Sequence, residues 1–448
     1  MQVEQVAAEG LRREFKITVP SGEIEDRVRT RLERMAKTVR LPGFRPGKAP
    51  LPLLRKQYGR AILGEVLQEA VDEGSQRTIG ENDLRPALRP QIEVTSFDEG
   101  KDLEFGIKVE VLPEVPTVQL GGISLTRLVA ETPADKVEEA IANFAKARQK
   151  FEAPAEPRPA QDDDQLTIDF EGKIDGVAFE GGASKGFPLG LGSQSLVPGF
   201  EEQLIGAVAG ETREVKVTFP ADYARAEVAG KDGVFTVTVH EIKAPVPYTL
   251  DDAWAEALGF ENLAEVKETF EKRFADDYRN LSRARLKRAL LDRLAADHVF
   301  PVPQGMVDLE FDAIWSQLTG EMQRTGGSFG EGDQSEEALR AEYRKIAERR
   351  VRLGLVLSDI GNRNGVRVEN EELQQAVLRE AMRFPGDRRQ FFEFVRNNQA
   401  ALEQIRAPLF EDKVCDFIFG QANVTEQPVT VEELIKDPDE AEAAPAAA

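Results

Sequence analysis

The chain has 448 residues, 31% of them charged, and a formal net charge of −22. That length exceeds one ordinary core and predicts two to four domains. The single cysteine, Cys415, excludes an internal disulfide framework and fits a reducing compartment, and no apolar run reaches membrane-spanning length, so no membrane contact is expected. The start, Met1–Val6, has neither the basic nor the apolar region of an export signal, so a cytoplasmic location is expected. His240, His298 and Cys415 are too few and too scattered for a zinc site. Phosphate-binding glycine loops and G-x-S-x-G nucleophile elbows are absent, so the expected chemistry needs no metal and no cofactor.

Residues 11–19 alternate through Leu11, Phe15, Ile17 and Val19, as a half-buried strand does. Ser21 reads as an N-cap, and Ile24, Val28, Leu32, Met35 and Val39 follow at helical spacing. A second helix carries Ile62, Leu63, Val66, Leu67 and Val71. Between them lies Gly43-Phe44-Arg45-Pro46-Gly47-Lys48-Ala49-Pro50. Glycines permit tight turns there and prolines stiffen the chain, giving a preformed tip that loses little entropy on docking. From Arg27 to Arg60 the chain holds eleven Lys or Arg and one acid, Glu33. A basic island on an acidic body suits a polyanionic partner met through phosphates. The same run also fits a basic helix connector with a solvated face. Strands follow near 90–97 and 103–112, completing a compact α+β domain near Pro113.

Residues 113–132 look extended. Thr132-Pro133 then reads as the start of a helix with proline at its first position, and Val137, Ile141, Phe144, Arg148 and Phe151 on one face. Pro154, Pro157 and Pro159 form a stiff linker. From about 162 to 243, strand signals at Leu166–Phe170, Glu214–Phe219 and Val234–Ile242 mark a small β-rich domain. Its Leu196-Val197-Pro198-Gly199-Phe200-Glu201 run reads as a helix start. Phe170, Phe187, Val197, Phe200 and Phe235 suit either an apolar cup or the plain core of a small sheet. Beyond 250 the chain reads as helical, with seams through Leu263, Val266, Phe270, Phe274, Tyr278 and Leu281, and through Leu339, Tyr343, Ile346, Leu353, Leu357 and Ile360. Gly326-Gly327 and Gly330-Glu331-Gly332 mark a connection, and the acidic, alanine-rich tail from Asp437 reads as disordered.

The string L-V-P-G-F-E, preceded by F-x-L-G-L-G, resembles the FK506-binding-protein type of peptidyl-prolyl isomerase. The G-F-R-P-G-K tip and the order of pieces resemble the trigger factor family over nearly the whole chain. This resemblance implies a multidomain α+β protein: an N-terminal α+β docking domain, a small antiparallel β-sheet-plus-helix isomerase domain and an all-helical C-terminal domain with arms. The implied boundaries are 1–112 for ribosome binding, 113–151 for a linker whose helix packs on the C-terminal domain, 152–245 for the isomerase, 246–436 for the helical chaperone domain and 437–448 for the tail. Implied partners are the ribosome, through exit-tunnel protein and ribosomal RNA, nascent and unfolded polypeptides, and a second copy in a homodimer off the ribosome.

By the same resemblance Gly43, Phe44, Arg45, Pro46, Gly47 and Lys48 would bind the ribosome. Phe170, Phe179, Phe187, Leu196, Val197, Phe200, Tyr223 and Phe235 would line the proline pocket, with Glu180 where simpler members have aspartate. Asp222-Tyr223-Ala224-Arg225 lacks the second tyrosine of the short relatives' D-Y-A-Y, which leaves the donor to the substrate carbonyl open, with Tyr223 one candidate replacement. A free-standing dimeric isomerase or holdase is the alternative, and it leaves the basic tip unexplained. A periplasmic chaperone would need an export signal.

Overall fold

The computed structural model describes residues 1–39, 50–97, 100–220, 223, 225, 228–325, 335–384 and 386–436. They form two compact units, Met1–Leu128 with Arg283–Gln427 and Val129–Ser282 with Pro428–Ala448. Among the described residues no helix is long and apolar enough to cross a membrane.

The first unit opens with β1 (Gln2–Glu9), β2 (Arg12–Val19), α1 (Ser21–Thr38), α2 (Leu51–Glu81), β3 (Gln91–Ser96) and β4 (Leu103–Glu110). The strands make an antiparallel sheet in the order β1-β2-β4-β3, with Phe15 opposite Ile107 and Ile17 opposite Phe105. Period-two alternation buries Phe15, Ile17, Val19, Leu103, Phe105, Ile107 and Val109 together. The Phe105 ring lies against Gly74 of α2. Ile24, Val28 and Leu32 of α1 share that core with Leu54, Ile62 and Val66 of α2. Each such fully buried side chain contributes about 1.5–3 kcal/mol. Ser21 is not the N-cap. Pro20 holds that place, and Ser21, already helical, donates its N–H to Asp102 Oδ1 at 2.7 Å. Strand β1, half of it polar, escapes a periodicity reading because it is an exposed edge aligned by β2.

The stretch expected to be extended holds a 3-10 turn, Leu120–Gly122, and β5 (Ser124–Val129). In the second unit α3 (Ala134–Ala147) follows, then β6 (Phe151–Glu152), β7 (Gln165–Ile174), β8 (Val177–Gly190), a 3-10 turn at Glu202–Leu204, β9 (Thr212–Thr218) and β10 (Asp232–Pro245). Pro133 is the N-cap of α3 rather than its first residue, and Phe151 leaves the helix for β6. An antiparallel sheet runs β6-β10-β7-β8, with β9 also on β10. At its entrance the buried Asp164 carboxylate accepts two bonds from Arg158, at 2.7 and 2.8 Å, and one from the Gln161 N–H. Such pairing is what allows a charge to be buried.

Next come α4 (Asp252–Ala257) and α5 (Leu263–Asp297), whose residues to Ser282 belong to the second unit and the rest to the first. Val137 and Ile141 of α3 pack with Ala255, Val266, Phe270 and Phe274. The Arg148 guanidinium lies 4.3 Å over the Phe144 ring.

The helical part of the first unit comprises α6 (Gln304–Thr325), α7 (Glu336–Arg363), α8 (Asn370–Arg383), α9 (Arg388–Asn397) and α10 (Gln399–Gln421). Strand β11 (Asn423–Pro428) pairs with β5, and α11 (Val431–Ile435) closes the described chain in the second unit. Leu286, Leu290, Phe311, Val356, Leu357, Ile360 and Ile418 form one core. Ile346 stays exposed, and Ala347 takes the buried place on α7. Burial pushes the Cys415 thiol up to about 12, so it is inert. The glycine-rich run 326–332 and the tail from 437 lie outside the described residues.

Candidate functional site

Strands β7, β8 and β10 and the turn after Leu196 bring an aromatic cluster together. Phe170 on β7 stands 5.8 Å from Phe187, 6.2 Å from Phe200 and 6.1 Å from Phe235, centroid to centroid. Phe200 and Phe235 meet edge to face at 5.3 Å and are buried as a floor. Phe179 reaches Phe235 at 6.1 Å and Phe219 at 5.9 Å. Phe170, Phe179, Phe187, Leu196 and Val197 are half-buried and pack on that floor. Edge-to-face pairs of this kind add about 0.5–1.5 kcal/mol each beyond burial. Tyr223 is exposed, its ring 5.1 Å from Phe219 and its N–H donated to the Pro220 carbonyl at 3.1 Å. Glu180 lies on β8, its side chain outside the described positions, as are Asp222 and Ala224.

Two backbone features make the cluster fit. Gly172 is the register partner of Phe235 across β7 and β10, and a Cβ there would overlap the Phe235 ring. Gly199 stands at φ +84°, a conformation that side chains disfavour. A helix cannot propagate through it, so the expected helix start at 196–201 is a turn running into the Glu202–Leu204 3-10 turn. The Phe200 N–H instead bonds the Val197 carbonyl at 3.1 Å.

Sequence reasoning missed Phe219, which links Phe179, Phe235 and Tyr223. Its signal was the alternation Val215, Val217, Phe219, all three of which are buried.

The tip residues Gly43, Phe44, Arg45, Pro46, Gly47 and Lys48 lie outside the described residues. The helices flanking them revise the charge reading. Arg27 pairs with Glu23 and Glu73, and Arg31 with Glu65 and Glu69. Arg29 pairs with Asp26, and Arg55 with Glu25. The face therefore mixes both signs, because α2 and the start of α1 supply acids from outside the basic window. Arg34, Lys37, Lys56 and Arg60 have no acid partner among the described residues. They occupy the last turns of α1 and the first turns of α2, so the uncompensated charge sits at the two helix ends nearest in sequence to residues 43–48.

Family comparisons divide the chain into the same succession. Residues 1–144 match the family model described as bacterial trigger factor protein, 156–240 that of FKBP-type peptidyl-prolyl cis-trans isomerase, and 262–420 that of the bacterial trigger factor protein C-terminus. A trigger factor of Rhodospirillum centenum is 49% identical over 449 residues, covering 100% of both chains. The chain belongs to the trigger factor family. A trigger factor of Rhodospirillum rubrum is 48% identical, over 98% of this chain and 99% of its own. A solved structure described as "Promiscuous Substrate Recognition in Folding and Assembly Activities of the Trigger Factor Chaperone" has the same fold, with a TM-score of 0.55 at 19% identity over 94% of this chain and 99% of that one.

Proposed function

We propose that Phe170, Phe179, Phe187, Leu196, Val197, Phe200, Tyr223 and Phe235, together with Glu180, form the prolyl pocket, and that Gly43, Phe44, Arg45, Pro46, Gly47 and Lys48 form the ribosome-docking tip. The chain is a ribosome-associated molecular chaperone that binds nascent polypeptides and carries a peptidyl-prolyl cis-trans isomerase domain. A free-standing isomerase is not favoured, because family membership extends over the N-terminal region as well.

The observation that supports the pocket most is the convergence of Phe170, Phe200 and Phe235 within 6.2 Å of one another. An X–Pro bond resists rotation by roughly 18–20 kcal/mol, because amide resonance makes its C–N bond partly double. Twisting removes that resonance and leaves a less polar unit. An apolar, water-poor cup favours the twisted form over the dipolar planar one. No acid, base or nucleophile is required. Phe200→Ala should abolish turnover of a proline peptide, and unchanged turnover in a folded domain would remove the pocket reading.

At the tip, one aromatic and two cations continue the unpaired charge of Arg34, Lys37, Lys56 and Arg60. This suits exit-tunnel protein and ribosomal RNA phosphates, with binding that weakens in salt. Alanine at Phe44, Arg45 and Lys48 together should stop co-sedimentation with ribosomes and spare isomerase activity. Pelleting that survives the triple replacement would sink the docking assignment.

The proposed layout is a ribosome-binding domain at 1–112, a linker at 113–151, the isomerase at 152–245, a helical chaperone domain at 246–436 and a tail at 437–448. It works in the cytoplasm and pairs with a second copy off the ribosome. Leu378, Met382, Phe384, Phe392 and Phe394, exposed on or beside α8 and α9, suit contact with unfolded polypeptide.

A further inference from the structure

The pocket reading leaves two carboxylates without a role, Asp169 and Glu201. Each is the chain neighbour of a cup phenylalanine, Phe170 and Phe200 respectively. Glu201 is only 6% exposed. Its Oε1 accepts the Ser195 N–H at 2.9 Å and the hydroxyls of Ser193 at 3.1 Å and Ser195 at 3.4 Å, and its Oε2 accepts the Gln194 N–H at 3.0 Å. Burying a carboxylate is costly unless its lone pairs are used. Here they hold residues 193–195, the segment leading directly into Leu196 and Val197.

Asp169 repeats the arrangement on the other side. Its Oδ1 accepts the Gly186 N–H at 2.7 Å, one residue before Phe187. Its Oδ2 lies 2.9 Å from His240 Nε2, where β10 slips register between Val239 and Glu241. Each carboxylate thus rides on the backbone that carries one cup phenylalanine and grips the backbone that delivers other cup residues.

We propose that Asp169 and Glu201 are positioning residues of the isomerase, fixing Phe187 and the Leu196–Val197 segment against Phe170 and Phe200. The inference rests on the pocket reading above. A wall displaced by a fraction of an ångström would fit the twisted bond less well while still binding the planar peptide. The anionic carboxylate matters: at Glu201 both oxygens face backbone N–H groups, so an amide of the same shape turns one acceptor into a donor that faces another donor, and at Asp169 the amide offers the Gly186 N–H a neutral, weaker acceptor.

The test uses the full chain with Glu201→Gln and Asp169→Asn, and Phe200→Ala in parallel. On a proline tetrapeptide, kcat should fall about tenfold in each amide variant with KM little changed. Hydrogen exchange should quicken at Gln194 and Ser195 in Glu201→Gln and at Gly186 in Asp169→Asn. Protection of Val237 and Val239 in the sheet should stay as in the parent. Full kcat in the folded amide variants, with Phe200→Ala inactive, overturns the positioning role alone. Full kcat in folded Phe200→Ala overturns the pocket reading and this inference with it. Should Glu201→Gln lose the sheet protection, Asp169→Asn, whose carboxylate is partly exposed, decides the matter.

Discussion

In the isomerase domain Phe200 and Phe235 are 2% and 5% exposed, whereas Phe384, Phe392 and Phe394 beside and on α9 are 44%, 38% and 57% exposed. Both groups are phenylalanine-rich, and both include rings in contact, Phe384 with Phe391 at 5.3 Å and Phe200 with Phe235 at the same separation. The difference lies in what covers them. In the isomerase domain, strands far apart in sequence pack around Phe200 and Phe235 and cover them, while Phe170, Phe179 and Phe187 stay half-buried. On α9, a ten-residue helix, only Val395 is buried, Phe391 is half-buried, and Phe392 and Phe394 face solvent. A sheet of long-range pairings encloses aromatics for a shaped site. A short helix with one buried residue leaves them open, which suits the proposed contacts of no fixed shape.

The sharpest way to break this contrast is Phe235→Ala. Phe235 touches Phe170, Phe179, Phe200 and Phe219. Its removal should destabilise the isomerase domain by about 3–5 kcal/mol and abolish turnover, both visible in denaturant unfolding and a peptide assay. Gly172→Ala should come next. The added methyl meets the Phe235 ring, and overpacking of this kind costs about 1–3 kcal/mol. Turnover should drop with the stability, and an unchanged unfolding midpoint would show that the ring is free to move aside.

For the exposed rings the expectation reverses. Phe392→Ser with Phe394→Ser should shift folding stability by no more than about 0.5 kcal/mol per site. It should nevertheless weaken suppression of aggregation of an unfolded test protein, measured by light scattering. A large loss of stability instead would mean these rings belong to a core.

The smallest effect concerns what holds α8 in place. Lys413 on α10 bonds Glu372, and with the Glu369 N–H it keeps that carboxyl below the ordinary glutamate range. A lowered folded pKa stabilises above the unfolded value, near about 4.3, and that contribution is lost as pH falls through the lower folded value. Protection of α8 amides, taken relative to their intrinsic exchange rate at each pH, should therefore fall in that acid window, and Glu372→Gln should flatten the step.

Much of this was legible in local pattern. The alternation from Leu103 to Val109 and the spacing Ile24, Val28, Leu32 each named a buried face correctly. Phe200 and Phe235 are buried as well, which both a cup and a plain sheet core expect. Strand β8 was not read as one strand, because Gly181, Gly182, Gly186 and Pro188 interrupt its pattern and it is held by pairing with β7. The helix expected after Leu196 failed at one residue, Gly199, whose left-handed backbone turns the chain instead. The basic face looked unopposed because its acids, Glu65, Glu69 and Glu73, lie on the partner helix.

The sequence by itself determined the succession of pieces, the apolar faces of its helices and strands, and the basic, proline-stiffened run between two helices, because these depend on residues within a few positions of one another. Tertiary structure alone decided that β11 pairs with β5 from 300 residues away, that Gly172 makes room for Phe235, and that Asp169 and Glu201 grip the segments before Phe187 and Leu196. Those contacts join residues that no local periodicity relates, and their energies exist only once the chain has closed the loops between them.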